Sequence, residues 1–98
     1  MKPTDLLLDT LCIQTSEECG ELIQALLKLT RTTSENPTPK SFNECMENVL
    51  EEMADVELCL QVMRYKLLLS EYYSHDDEDR RIKEKLCRWE KRLSKKCD

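Results

Sequence analysis

Two of the three prolines in this chain, Pro37 and Pro39, lie in the polar segment TTSENPTPKS at positions 32–41. Proline lacks a backbone N–H and its ring clashes with the preceding turn, so no helix can run through this segment. On both sides of it, apolar residues recur at steps of three and four, the period of an α-helix with one buried face. Because the connection is short, it predicts an antiparallel pair of long helices.

Three helices are predicted in a single all-α domain that spans residues 1–98. The first covers about residues 4–31, the second starts at Ser41 and runs to about residue 69, and the third covers about residues 77–95. Ser41 followed three residues later by Glu44 is a capping-box pattern. The chain has only one glycine, which leaves few other places for turns. The prediction is therefore a helical hairpin plus a third helix.

Each predicted helix carries a stripe of mainly apolar residues, which indicates the face that packs against another element. The first-helix stripe contains one charged residue, Glu18, and the second helix has two adjacent stripes, which predicts burial on several sides. Trp89 is predicted to be a core or interface residue, with base stacking as the minority alternative. The stripe of the first helix consists of Leu8, Leu11, Thr15, Glu18, Leu22, Ala25 and Leu29. The two stripes of the second helix are Met46, Val49, Met53, Val56, Leu60, Met63 and Leu67, and beside them Cys45, Asn48, Glu52, Asp55, Cys59 and Val62. The stripe of the third helix consists of Ile82, Leu86, Trp89 and Leu93.

Two acidic pairs with the same spacing lie on the first two helices. Glu18 and Glu21 share one helix face, and Glu52 and Asp55 share another. In an antiparallel pair, residues that face each other have position numbers with a constant sum. Glu18 with Asp55 and Glu21 with Glu52 give the same sum, so both pairs can face each other in one register. In that register the chain reverses between Asn36 and Pro37, inside the polar loop. The sequence therefore predicts that four carboxylates project into one space between the helices.

Four like charges in a partly buried site repel one another unless they are protonated or neutralised by cations. Oxygen ligands suit Mg²⁺, with Mn²⁺ as a substitute, whereas zinc is disfavoured because no His or Cys joins the cluster. Asn48 lies one turn before Glu52 and could add a neutral oxygen ligand or a hydrogen bond. The alternative from spacing alone is a solvated acidic helix face.

Composition excludes several classes of protein. A net charge of −5 argues against nucleic acid as the main partner. The six cysteines form no CxxC pair, so they are predicted to be reduced thiols in a cytoplasmic protein. Asp5 and Asp9 interrupt the first apolar run, so no signal peptide is expected, and no stretch approaches the length of a membrane span.

The segments QTSEECGELIQALLKLTR and NVLEEMADVELCLQVM resemble the MazG-like all-α nucleoside triphosphate pyrophosphohydrolases. The mark of that family is an ExxE motif on one helix and an ExxD motif on the next, and the resemblance extends more weakly to KLCRWEKRL on the third helix. The separation between the two motifs is on the long side for the family. Phosphoribosyl-ATP pyrophosphohydrolases and dimeric dUTPases resemble the same pattern, so the substrate's base and sugar do not follow.

The resemblance implies Mg²⁺-dependent hydrolysis of a (deoxy)nucleoside triphosphate to the monophosphate and pyrophosphate. Glu18, Glu21, Glu52 and Asp55 would bind the metal and act in catalysis, and Glu17 and Glu51 are further catalytic candidates that would orient water or lie in an outer shell. No P-loop is present, so metal and basic side chains would hold the phosphates. The candidate substrate contacts are Gln14, Lys28, Arg31 and Asn48, and, favoured by the resemblance, Lys85, Arg88 and Arg92. For Arg81, a phosphate contact and an intrahelical ion pair with Glu84 remain equal alternatives.

The apolar faces of the second helix exceed what one hairpin and a short third helix can cover. A four-helix core formed from two chains would cover them, so a homodimer or dimer-based tetramer is predicted. The resemblance points to the same assembly. Two other functions remain open: a non-catalytic helical adaptor that binds basic partners, and a Mg²⁺-stabilised structural bundle without turnover. An adaptor needs exposed charge, whereas a catalytic site needs recessed charge.

Overall fold

The computed structural model describes the backbone of residues 1–97 and the side chains of residues 1–95. A 3-10 turn at Pro3–Asp5 precedes three helices: α1 at Leu8–Arg31, α2 at Phe42–Leu67 and α3 at His75–Cys97. No strand occurs in these described residues, so the all-α prediction is confirmed. The chain divides into two compact units, Met1–Lys66 and a second that begins at Leu67.

In the first unit, α1 and α2 form an antiparallel pair. The carboxylates of Glu18 and Asp55 lie close together in the middle of the pair. At its open end, the ammonium group of Lys66 on α2 donates hydrogen bonds to the carbonyl oxygens of Thr4 and Leu6. At the loop end, Arg31 Nε donates to the carbonyl oxygen of Asn36 at 3.1 Å. The register predicted from the acidic pairs is therefore the one that the fold adopts.

The buried core of the first unit is small and lies between these two helices. It consists of Leu11 and Ala25 on α1 and Cys45 and Val49 on α2. The first-helix stripe lies on the covered face, except for Leu8, which is 43% exposed. Burial of these few side chains stabilises the pair by only about 1.5–3 kcal/mol for each large residue. Many other large apolar side chains remain exposed.

The start of α1 differs from the prediction. Helix was expected from about Thr4, but Leu6 and Leu7 are extended, with ψ of 150° and 152°. The Asp5 carboxylate accepts a hydrogen bond from the backbone N–H of Lys2 at 2.8 Å, and Leu6 N–H donates to the carbonyl oxygen of Pro3 at 3.2 Å. These local bonds close a separate turn at the N-terminus, so α1 begins four residues later than predicted.

The start of α2 confirms the predicted capping box. Glu44 N–H donates to Ser41 Oγ at 3.2 Å, and Ser41 N–H donates to Glu44 Oε1 at 3.3 Å. Two backbone donors that the helix itself cannot satisfy are thereby paired. The helix ends at Leu67, two residues before the predicted end, where the hydroxyl and N–H of Ser70 both bond the Leu67 carbonyl oxygen.

In the second unit, α3 begins at His75 rather than at about Asp77. Ser74 Oγ accepts the backbone N–H of Asp77 at 3.1 Å, which caps the helix. His75 is the first residue of α3, and its Nδ1 lies 3.1 Å from the Tyr73 hydroxyl oxygen. The cap therefore lies three residues before the predicted start.

The apolar stripe of α3 is not covered by the rest of the second unit. Ile82, Leu86, Trp89 and Leu93 are each at least 50% exposed. Trp89 is 57% exposed, so it is not buried in a core of the second unit, and the interface and base-stacking alternatives both stay predictions. At its start the helix carries exposed ion pairs, where Arg80 bonds both Asp77 and Glu84.

Five cysteines fall within the described side chains, and all five carry free thiols, as predicted. Cys45 is buried and behaves as a small apolar residue, whereas Cys12 is exposed. Cys97 lies outside the described side chains. Within the described residues, no helix combines the length and the apolar character needed to cross a membrane.

Candidate metal centre

Four carboxylates from the two helices of the first unit converge. Glu18 and Glu21 on α1 and Glu52 and Asp55 on α2 each place one carboxylate oxygen within 4.8 Å of the others. Glu18 and Glu52 are half-buried, and Glu21 and Asp55 are exposed. The site therefore has a recessed side, which lies between the helices, and an open side, which faces solvent.

Local helix geometry explains this convergence. Each pair is spaced by three residues, so both of its members lie on one helix face. Glu18 occupies the covered stripe of α1, and Glu52 lies one turn beyond the buried Val49 on α2. Gln14, one turn before Glu18, donates from Nε2 to Glu18 Oε1 at 2.9 Å and orients that carboxylate. The four carboxylates predicted from the sequence are therefore the four that the fold brings together.

The electrostatics of the cluster are unfavourable without a counter-charge. Burial raises the pKa of Glu18, and the neighbouring carboxylates of Glu21 and Asp55 raise it further. Glu18 Oε2 and Glu52 Oε2 are both buried and have no hydrogen-bond partner. A buried unpaired carboxylate oxygen costs free energy, which a bound cation or a water molecule would offset.

The donor set fits a hard divalent cation. All four candidate ligands are carboxylate oxygens, the type that Mg²⁺ and Mn²⁺ prefer. Cys59 lies beside the cluster on α2, where burial, followed by the charge of Glu18, raises the pKa of its thiol. Cys59 lies outside the group of converging ligand atoms, so that group contains no sulfur ligand.

The other predicted residues of the first unit lie outside this group of four. Glu17 and Glu51 are exposed neighbours of the metal ligands and lie outside the group of converging oxygens. Lys28 is exposed on the last turn of α1, and Asn48 is half-buried one turn before Glu52. Arg31 is half-buried and bonds the loop backbone at Asn36, which occupies its Nε donor.

The remaining predicted contacts belong to the second unit. Lys85, Arg88 and Arg92 are exposed on α3, on the turns that also carry the apolar stripe. Arg81 donates from Nε to Asp77 Oδ2 at 2.8 Å. The alternative of an ion pair therefore holds for Arg81, but its partner is Asp77 and not Glu84, which bonds Arg80 instead.

Sequence reasoning missed a half-open space beside the cluster. A cavity of about 290 Å³ is bounded by both helices and by the N-terminal segment, and Gln14, Glu18 and Asp55 lie at its polar end. The remaining walls are Pro3, Leu6, Leu11, Leu58, Cys59 and Val62. The apolar pattern alone did not reveal it, because the wall formed by Pro3 and Leu6 depends on the unpredicted turn before α1.

The fold and the site together define an all-α chain with a four-carboxylate centre between antiparallel helices. No protein-family model matches this chain, and no curated protein or solved structure matches it either. Any assignment of function consequently depends on the chemistry of the site and on the motifs of the sequence.

Proposed function

We propose that the chain is a metal-dependent hydrolase that cleaves a (deoxy)nucleoside triphosphate to the monophosphate and pyrophosphate. The observation that carries this proposal is the pair of buried, unpartnered carboxylate oxygens on Glu18 and Glu52, which face two further carboxylates. Recessed charge suits a catalytic site, whereas an adaptor surface would need its charge exposed. The ExxE and ExxD motifs that resemble the MazG-like enzymes are built on these same four residues.

Glu18, Glu21, Glu52 and Asp55 would hold Mg²⁺, with Mn²⁺ as a substitute. A divalent cation supplies charge neutralisation at phosphate oxygens and lowers the pKa of a water molecule. The exposed Glu21 and Asp55 keep the solvent side of the centre open for a triphosphate. Gln14 holds the Glu18 carboxylate in place through its 2.9 Å hydrogen bond.

The groups around the centre have separate proposed tasks. Glu17 and Glu51 are exposed carboxylates that would orient the attacking water and accept its proton. Attack at the α-phosphorus in line with the leaving group would release pyrophosphate. Asn48 would add a neutral polar contact to substrate. The basic candidates for phosphate contacts are Lys28, Arg31, Lys85, Arg88 and Arg92.

We also propose that the working form is a homodimer or a dimer-based tetramer. In the first unit, large apolar side chains of α1 and α2 lie 44–58% exposed; they are Ile23, Leu26, Leu27, Leu50 and Met53. Soluble monomers rarely expose so many large apolar groups together. Pairing of two hairpins into a four-helix core would cover them. The free thiols suit a reducing compartment such as the cytoplasm.

Pyrophosphate release from a panel of nucleoside triphosphates with Mg²⁺ tests the reaction. Glu21→Gln keeps the shape of an exposed ligand but removes its charge, so turnover should fall by a factor on the order of 10² or more while the helical content stays unchanged. Glu47→Gln makes the same change at an exposed α2 position outside the cluster and should retain full turnover. Metal-dependent stabilisation without turnover would favour the structural bundle instead.

A further inference from the structure

Helix α3 carries most of the positive charge of this chain. Residues 80–95 contain eight Lys or Arg and two Glu, a net charge of +6, so the rest of the chain carries −11. Of these eight, only Arg80 and Arg81 form ion pairs among the described residues. The other six cations are therefore free to meet an anionic partner; they are Lys83, Lys85, Arg88, Lys91, Arg92 and Lys95.

An exposed apolar stripe runs along the same helix. Its members recur at steps of four and three, and each is 50–57% exposed; they are Ile82, Leu86, Trp89 and Leu93. Every residue from 79 to 95 is exposed, so the second unit buries no side of the helix over this length. Apolar surface that is left in water is unfavourable, so contact with another apolar surface would stabilise this helix.

Cations lie on both sides of the apolar stripe. Lys85 and Arg92 each come one position before a residue of the stripe, which places them about 100° around the helix from it. Lys83 comes one position after Ile82 and therefore lies on the opposite side of the stripe. Lys85 and Arg92 line the same surface as Trp89. Their alkyl stems can cover apolar surface while the charged ends point away from it.

This arrangement suits a flat anionic surface. A layer of anionic lipids attracts Lys and Arg that come within a Debye length, and its acyl chains begin directly beneath the phosphates. Cations on both sides of the stripe would lie at the level of the headgroups. The ring of Trp89 is apolar and its N–H is polar, which suits the boundary between the two layers. Pairing of two α3 helices would instead bring two segments of charge +6 together, and these repel.

We propose that α3 binds the surface of a membrane that contains anionic lipids, with its apolar stripe at the boundary between headgroups and acyl chains. Lys83, Lys85 and Arg92 contact the lipid phosphates. The helix lies on the membrane and does not cross it, since no helix of the described residues is long and apolar enough to span one. This inference is independent of the proposed hydrolase activity.

The fluorescence of Trp89 tests the proposal, because Trp89 is the only tryptophan in the chain. Vesicles of phosphatidylcholine with phosphatidylserine should shift its emission to shorter wavelength as the ring leaves water, whereas vesicles of phosphatidylcholine alone should not. About 1 M NaCl should release the protein, because the screening length falls to about 3 Å. Equal shifts with both kinds of vesicle, or no shift with either, would overturn the proposal.

Three further samples contain no vesicles. A shift with RNA, with free triphosphate or with rising protein concentration would assign the surface to nucleic acid, to a nucleotide or to a second copy of the chain. Each of these results would overturn the proposal if the anionic vesicles caused no shift. With the anionic vesicles as the only cause of a shift, the membrane surface is confirmed as the partner.

Matched variants locate the contact on α3. Leu93 belongs to the stripe and is 51% exposed, whereas Leu69 lies outside the helix and is 90% exposed. Leu93→Gln should weaken binding to the anionic vesicles by at least about tenfold, and Leu69→Gln should leave it unchanged. Glu90 is an exposed acid beside the stripe, so Glu90→Gln should strengthen binding by about fivefold. Circular dichroism should show the same helical content in all three variants. Equal vesicle binding by Leu93→Gln and Leu69→Gln would overturn the proposal.

Discussion

Replacement of Glu52 by glutamine should stabilise the protein in metal-free buffer and destabilise it, relative to the wild type, when Mg²⁺ is present. Glu52 is half-buried, its Oε2 has no hydrogen-bond partner, and three other carboxylates lie within 4.8 Å. At that separation each like-charge contact costs about 1 kcal/mol in water and about 3.5 kcal/mol at the effective dielectric constant near a protein surface. Glutamine keeps the volume of the side chain and removes its charge. In metal-free buffer the free energy of unfolding of the variant should therefore exceed that of the wild type by about 1–2 kcal/mol. This value lies near the lower of the two Coulomb energies because the site is partly solvated.

With Mg²⁺ present, the order should invert. A ligand that binds only the folded state stabilises it by about 2.7 kcal/mol at a concentration one hundred times its Kd. The wild type gains this stabilisation, and the variant, which lacks one ligand, loses most of it. Urea unfolding followed by circular dichroism in EDTA and in saturating Mg²⁺ measures both effects.

A glutamate outside the cluster provides the control for this experiment. Glu47 is an exposed residue of the same helix, so Glu47→Gln should change the free energy of unfolding by less than about 0.5 kcal/mol in either buffer. Added NaCl should reduce the metal-free difference between Glu52→Gln and the wild type, because salt screens the repulsion. A variant that is less stable than the wild type in EDTA, or that gains as much from Mg²⁺, would refute the reasoning.

Three further predictions concern the fold and the assembly. A Cβ on Gly20 would meet nothing within 4 Å, so Gly20→Ala in the middle of α1 should raise the free energy of unfolding by about 0.5–1 kcal/mol. As the reverse control, Ala54→Gly at an exposed α2 site should lower the free energy of unfolding by a similar amount. If Gly20→Ala destabilises the protein, a neighbouring group lies closer to Gly20 than described. Hydrogen bonds from Arg81 and then Arg80 lower the pKa of Asp77, so the stability that Asp77 contributes is present above its unfolded pKa of about 3.9 and is lost as pH falls through its lower folded value. Amide NMR at the start of α3 should show that acid transition, and Asp77→Asn should abolish it; persistence in the variant would assign it elsewhere. Light scattering at micromolar concentration should show no folded monomer, and a stable, fully active monomer would rule out the dimer.

The pairing of α1 with α2 was predictable because several sequence signals agreed. The prolines in the loop fixed where the chain reverses, Ser41 and Glu44 marked the start of α2, and the acidic pairs specified the register. Glu18 on an otherwise apolar stripe indicated that the charge is recessed. The loop and cap signals depend on residues close together in the sequence. The register depends only on the rule that facing positions in an antiparallel pair have a constant sum.

The features that were missed have three different physical causes, and only one of them is a contact between residues far apart in the sequence. The apolar run DLLLDTL continues the helical period of α1, so it hid the extended residues Leu6 and Leu7. The wall of the cavity exists because Lys66 bonds the backbone of this segment, a contact that no local pattern encodes. The partner of Arg81 was wrong because two acids, Asp77 and Glu84, lay within one helical turn of the basic pair.

Hydrolysis in ¹⁸O-labelled water tests the central claim most directly. The protein is incubated with Mg²⁺ and each nucleoside triphosphate, and the products are separated and weighed by mass spectrometry, with Glu21→Gln as the control. Attack at the α-phosphorus predicts pyrophosphate and a monophosphate that carries the label, in amounts well above those of the variant. Label in pyrophosphate or in free phosphate, or equal yields from the wild type and Glu21→Gln, would contradict the proposed reaction at this carboxylate centre.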